Sequence, residues 1–468
     1  MSDMQKPGLP RVLGPWVGLA VVIGTVIGSG VFVKPRTIAE NVPDVTHVAV
    51  IWAVAGLLTM LGGLALAEVS VLFPLSGGNY IFLREGFGPL AGFLWGWVDF
   101  LIIKAASIAA LATVFVNSLH DVAQTAAGRD SPWLSPSMRV ALIIGVIVVL
   151  AAVNIRGVRW GGGLQVVITA VKILSLLGLL ALPFAVVGFR DPDGIRASLF
   201  NQQPSTTETF AGTGVALLGV LWAYHGWMNI APLAGEIVRP QRNVPIALIG
   251  GMSAIIVLYL GANLSYCLTL SMQEMAALPK DANVAAVTCE RLTGPAGGII
   301  ALAAVMISTF GALNGNLLAG PRLIYAMGND GLAPRWLGAV HVRFQTPAAA
   351  IAILAGWSVA LILLGATATR LFDLKKSLFD LMTDFAMFGA VIFETLGVAT
   401  IFVFRHRLPD APRPFKCPGY PLTPILYLTL PAFVLVATVV NQWQEAASGL
   451  AFITLGAVVY WLWTRSCR

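Results

Sequence analysis

Apolar segments of about eighteen residues or more recur along this chain, and that repetition sets its solvent before any motif is read. A stretch of that length, coiled as a helix, crosses the hydrocarbon of a bilayer. Only 11% of the 468 residues are charged, where a soluble domain carries about 25%. The fold class that follows is an all-α polytopic membrane protein. We read twelve spans, over 14–41, 48–73, 88–118, 138–154, 163–188, 209–237, 243–270, 296–328, 347–365, 374–404, 421–441 and 447–464. Polar, proline-containing or glycine-rich stretches separate them, with no low-complexity region and no soluble domain. The first segment is long and interrupted, unlike the short apolar core and cleavage site of a signal peptide.

The net charge of +7 comes from loop arginines and lysines, which act as orientation signals and do not suggest nucleic acid. With residues 1–13 as a cytoplasmic tail, the larger share of these cations falls on inner connections. The clearest inner loop is FRHRLPDAPRPFKCPGYP, after span 10. Both termini are then cytoplasmic, in a multi-pass protein of the cell membrane. The four cysteines, Cys267, Cys289, Cys417 and Cys467, show no metal-ligand spacing, and no disulfide is expected between Cys267 and Cys289. There is no phosphate-binding G-x-x-x-x-G-K-[ST] loop, no metal cluster and no nucleophile–base pairing. The expectation is a protein that is not an enzyme and needs no metal or cofactor.

Span 1 contains VIGTVIGSGVFVKP, with Gly28, Ser29 and Gly30 in the middle of an apolar run. Glycine costs about 1 kcal/mol in a helix interior, and serine prefers caps, so the helix should break here. Lipid cannot satisfy a bared backbone, so such a break must face protein, water or a ligand. The alternative is a packing face of small residues against a neighbouring helix. Span 6 carries a second interruption, Trp222-Ala223-Tyr224-His225-Gly226-Trp227, followed by Pro232 and Gly235. The two lie five spans apart, the pattern of an inverted five-plus-five repeat whose broken helices meet near the midplane. The first repeat would cover 14–188 and the second 209–404, with helices 11 and 12 at 421–464.

These breaks define a candidate substrate site. Backbone N–H groups at Gly28, Ser29 and Gly30, at the positive end of a half-helix, suit a carboxylate. Carbonyls freed at Val26, Ile27, Trp222 and Ala223 would accept from an ammonium. Together they make a clamp for an α-amino acid, with Tyr224 and His225 beside it. Trp222 is either a lid over the substrate or ordinary packing. His225 either lines the pocket or titrates. Asn314, between Gly311 and Gly315 in span 8, is either interhelical glue or a substrate contact. Lys172, mid-way along span 5, would place a fixed positive charge beside the broken helix, unless it snorkels to the inner interface. Lys104 and Glu394 are open between a proton relay and an ion pair, while Glu68 and Asp384 are read as interfacial.

The segments GTVIGSGVF (24–32), LSGGNYIFLREGFGPLAGFLWGW (75–97), LWAYHGW (221–227), STFGALNGNLLAGPRLIYAMGNDGLAP (308–334) and PDAPRPFKCPGYP (409–421) resemble the L-type amino acid transporter (LAT) family. That family belongs to the amino acid–polyamine–organocation (APC) superfamily, with the LeuT-type fold. The resemblance implies sodium-independent exchange of L-amino acids. It puts carboxylate binding on Gly28, Ser29 and Gly30, the aromatic gate on Trp222, and a charge in place of sodium on Lys172. Some positions depart from the pattern. His225 stands where members that take cationic amino acids carry an acid, and so does not favour lysine or arginine. Met228 replaces an asparagine, Val391 a pocket tryptophan and Glu394 a non-acid. Animal members join a glycoprotein heavy subunit through a cysteine between spans 3 and 4. Residues 120–137 have none here, so no disulfide-linked partner is expected. The rival readings are a proton-coupled symporter using His225 or Glu394, and an amino acid sensor that does not transport.

Overall fold

A computed structural model describes residues 9–127, 134–188, 210–279, 282–372, 378–441 and 443–466. Span 1 starts with Pro15 at its first turn and runs as half-helix 1a over Pro15–Val26. Proline is tolerated there because its missing N–H would find no intrahelical acceptor. The helix restarts as 1b over Gly30–Asn41. Span 2 (Val45–Leu72) is capped by Asp44, whose side chain accepts from the His47 N–H at 2.6 Å. A short helix, Asn79–Phe87, leads into span 3, which runs over Pro89–Ala127 with a π-helical turn at Asp99–Lys104. Spans 4 and 5 follow as Pro136–Arg156 and Val158–Pro183.

Span 6 is helical over Phe210–Tyr224 as half-helix 6a. It stops at Gly226, where φ is 109°, and resumes as a tight 3-10 segment, 6b, over Trp227–Glu236. A positive φ suits glycine, which has no Cβ to clash. Span 7 is Pro240–Thr269, and span 8 is Pro295–Ala319. Between them lies a connection with short helices Met272–Ala277 and Val284–Thr293. Spans 9 to 12 are Ala348–Phe372, Leu378–Arg407, Leu422–Asn441 and Trp443–Ser466.

Eleven helices among the described residues are long and apolar enough to cross a membrane. Span 6 is missing from that set because its break leaves no uninterrupted helix of sufficient length. Element ends differ from the sequence reading by several residues, most at the end of span 3, and the stretch read as span 8 is divided inside its bounds. Span 3 continues nine residues past 118, because its polar end (His120, Asp121, Gln124) stays helical beyond the apolar stretch. Span 8 ends at Ala319, and Pro321 opens a separate helix, Pro321–Asn329.

Burial orders the spans. In its most apolar stretch span 1 is 83% buried and span 12 only 11%, so span 1 is central and span 12 peripheral. Span 3 packs along span 8, span 2 along span 7, and 1b along 6a. Val148, Val257, Ile300 and Leu364 point outward on exposed faces, as lipid-facing positions must. At the end of the bundle where span 1 begins, the halves are tied. The Leu13 carbonyl accepts from Val238 N–H at 2.9 Å, and the Glu236 carbonyl accepts from the Val12 and Leu13 N–H groups. Arg322 Nε donates to Glu236 Oε1 at 2.8 Å, with both side chains almost fully buried.

Candidate substrate site

The break in span 1 leaves donors open. The Ile27 N–H makes the last helical bond, to Ile23 O at 2.8 Å, and the Gly28 N–H turns back to Val26 O at 2.7 Å. The N–H groups of Ser29, Gly30 and Val31 meet no acceptor among the described residues, because 1b only begins there. The Ser29 hydroxyl is 1% exposed and also lacks a partner among them. Three orphan N–H groups at a half-helix N-terminus form a positive, anion-seeking end.

Gly28, Ser29 and Gly30 line one cavity with Val26, Ser107, Trp222, His225, Gly226 and Asn316. It has free volume of about 20 Å³, room for roughly one water, so the broken helices are closed around it. Thr25 ties its two walls together. Its hydroxyl donates to Val21 O within 1a and to Gly226 O of span 6 at 2.9 Å. Trp222 and His225 stack at 6.1 Å with 5° between their planes.

The carbonyls tell a different story from the one expected. Val26 O accepts from Tyr259 Oη at 2.9 Å as well as from Gly28 N–H. Ile27 O accepts from Lys172 Nζ at 2.6 Å and from Ser308 Oγ at 3.0 Å. Tyr259 has one hydroxyl proton to share between Val26 O and Ala223 O, and Ser308 one between Ile27 O and Gly28 O, so Val26 and Ile27 are already engaged by protein donors. The cause is the membrane setting, which obliges the protein to fill acceptors that water would otherwise satisfy. Trp222 O accepts from His225 N–H at 3.2 Å, and Ala223 O lies 2.9 Å from Tyr259 Oη.

Lys172 lies inside the bundle, with Nζ donating to both Gly24 O and Ile27 O at 2.6 Å. It is 1% exposed, so it does not snorkel. Its ammonium sits at the negative end of half-helix 1a, where a cation is favoured. Asn314 is brought elsewhere. It donates to Gly161 O and Gln165 Oε1 and accepts from Asn154 Nδ2, which makes it glue between spans 4, 5 and 8. Asn316 lines the cavity in its place. Tyr224 also turns away, donating to Trp52 O at 3.1 Å and packing on Trp52 and Tyr259.

His225 does not stand alone, as the sequence reading left it. Its Nε2 is 3.0 Å from Glu394 Oε1. Glu68 is not simply interfacial. It is buried, accepts from Arg405 Nε and Nη2 at 2.8 Å each, and accepts from Cys417 N–H at 2.6 Å. The Asp384 side chain and Cys467 lie outside the described residues. Cys267, Cys289 and Cys417 are free thiols. Sequence reasoning missed Tyr259, Ser308, Ser107 and Asp99. Asp99, an acid inside the apolar run WGWVDFLIIK, carried a signal that could have found it.

Residues 13–463, nearly the whole chain, match the amino acid permease family. The chain belongs to that family. With membership comes the LeuT-type polytopic fold, and the broken spans 1 and 6 are its signature here. The permease is 30% identical over 461 residues to the serine/threonine exchanger SteT of Bacillus subtilis, covering 98% of each chain. It is 30% identical to the human large neutral amino acids transporter small subunit 2, over 97% of this chain and 80% of that one. It is 29% identical to the human b(0,+)-type amino acid transporter 1, over 98% and 89%. Amino acid transport is the activity these relatives share in name, in agreement with the L-type resemblance of the sequence.

Proposed function

We propose that this permease is a sodium-independent exchanger of neutral L-amino acids, not an enzyme, working without a cofactor. Its place is the cell membrane, with both termini cytoplasmic. The carboxylate binds the N–H groups of Ser29 and Gly30 beside Gly28. The ammonium turns to the backbone carbonyls of the span 6 break, Trp222 and Ala223, and the Trp222 ring covers the site. Alternating access comes from rocking of repeats 14–188 and 209–404 against each other.

The observation that carries the reading is Lys172 Nζ on the carbonyls of Gly24 and Ile27. Those oxygens, at the end of a broken half-helix, are the kind that coordinate sodium in transporters that need it. A resident ammonium supplies the charge without an ion. Ser29, Ser107 and Asn316 on the cavity wall favour small or polar neutral side chains over large apolar ones. The name of the Bacillus relative agrees with that preference. The absence of cysteine over 120–137 supports work without a disulfide-linked heavy subunit.

The test is uptake of a labelled neutral L-amino acid by proteoliposomes in sodium and then in choline medium. Equal rates are expected. A large drop in choline would end the proposal that Lys172 replaces sodium.

A further inference from the structure

Next to the substrate cavity lies a second one, lined by Asp99, Lys104, His225, Gly226, Asn229 and Glu394 among others. His225 and Gly226 form the wall shared with the substrate cavity. Two carboxylates, one ammonium and one imidazole therefore face a single space at membrane depth. Asp99 and Lys104 come from the π-helical turn of span 3, and Glu394 from span 10. Such turns are frequent at functional sites.

The charges do not cancel. Lys104 can offset one carboxylate. One carboxylate is then left over beside His225 and Glu394, whose side chains are 9% and 13% exposed. Asp99 is 2% exposed, and its Oδ1 meets no partner among the described residues. Lys104 is committed elsewhere, donating to Asn229 Oδ1. A buried, uncompensated charge is unfavourable, and one proton on this cluster removes it. The pair placed to hold it is His225 Nε2 and Glu394 Oε1, 3.0 Å apart.

The geometry points to a proton-binding site formed by His225 and Glu394 with Asp99 and Lys104, loaded and emptied in step with amino acid exchange. This rests on the exchanger reading and adds a second cargo to it. The proton comes from bulk water on the side to which the closed cluster opens. It is held as the imidazolium N–H facing the Glu394 carboxylate, and it leaves to the opposite side. The link to the substrate is direct, because the His225 ring stacks on the proposed gate Trp222.

The groups facing His225 from each neighbouring element are few. Span 3 offers Asp99 and Lys104, and span 10 offers Glu394. Segment 6b and span 8 add the uncharged Asn229 and Asn316, and span 11 adds the Tyr427 phenol. Span 1 contributes Thr25 and span 2 contributes Thr59, both uncharged. Lys172 is held on the far side of the break.

The test uses purified full-length protein in liposomes that enclose a pH-reporting dye, with potassium and valinomycin clamping the voltage. A pH gradient is imposed, and exchange of a labelled neutral L-amino acid is followed in the same preparation. Amino acid present on both sides should collapse the gradient several-fold faster than its omission does. Exchange without any amino acid-dependent proton movement would overturn the proton site and leave the exchanger reading standing. Uptake into empty liposomes, driven by the gradient alone, would keep the proton site and overturn obligatory exchange. Glu394→Gln should lose the proton movement. If Glu394→Gln exchanges and moves protons like the native protein, the site is misassigned. If it does not exchange, Asp99→Asn is compared in the same assay, with the same two outcomes.

Discussion

A Cβ on Gly30 would stand 2.5 Å from the Cα of Ala223, so the two broken helices meet there through backbone alone. Gly30→Val should therefore abolish transport, both by separating spans 1 and 6 and by filling the space beside the open N–H groups. Ser29→Gly removes a hydroxyl but keeps every N–H, and should be much milder. Initial uptake rates in proteoliposomes would compare them, and normal transport by Gly30→Val would put the clamp in the wrong place. Lys172→Ala is expected to slow exchange by at least about tenfold, since a hydrogen bond to a charged group is worth about 1.5–3 kcal/mol. Substrate binding, read by thermal shift, should survive better than transport does. A Lys172→Ala protein that exchanges at the native rate would remove the ammonium from the mechanism.

Among the elements, the two breaks were legible because glycine and serine at mid-span contradict their surroundings. Which side chains face the cavity was not. Asn314 and Asn316 share a helix, yet two residues at 3.6 per turn point them to roughly opposite faces. Only the packing of span 8 on spans 3, 4 and 5 decides between them. The occupied carbonyls of Val26 and Ile27 were hidden for a similar reason, since Tyr259 and Ser308 reach them from far along the chain. Charge pairing was half legible. Glu394 and Lys104 stood out in apolar runs, but no local pattern joins Glu394 to His225 or Glu68 to Arg405. The Glu236–Arg322 pair gives a prediction at this scale. Glu236→Gln leaves a buried guanidinium without its counter-charge, a loss on the order of 3–5 kcal/mol. The melting temperature in detergent should fall by several degrees. An unchanged melting curve would show that the pair does not hold segment 6b to the helix that carries Arg322.

For the whole molecule, the long apolar segments, the broken spans and the family motifs were enough to give the architecture. Tertiary contacts supplied the conformation. The end of the bundle where span 1 begins is tied by Leu13 to Val238 and by Glu236 to Arg322, while the substrate cavity is closed to little more than a water. An exchanger returns between its two faces only when loaded. Trapping these ties should therefore stop uptake without stopping binding from the opposite side. Counterflow is the measurement that bears most directly on the exchange mechanism. Proteoliposomes in choline medium, preloaded with an unlabelled neutral L-amino acid, should take up the labelled one much faster than empty ones. Equal rates from loaded and empty liposomes would contradict exchange.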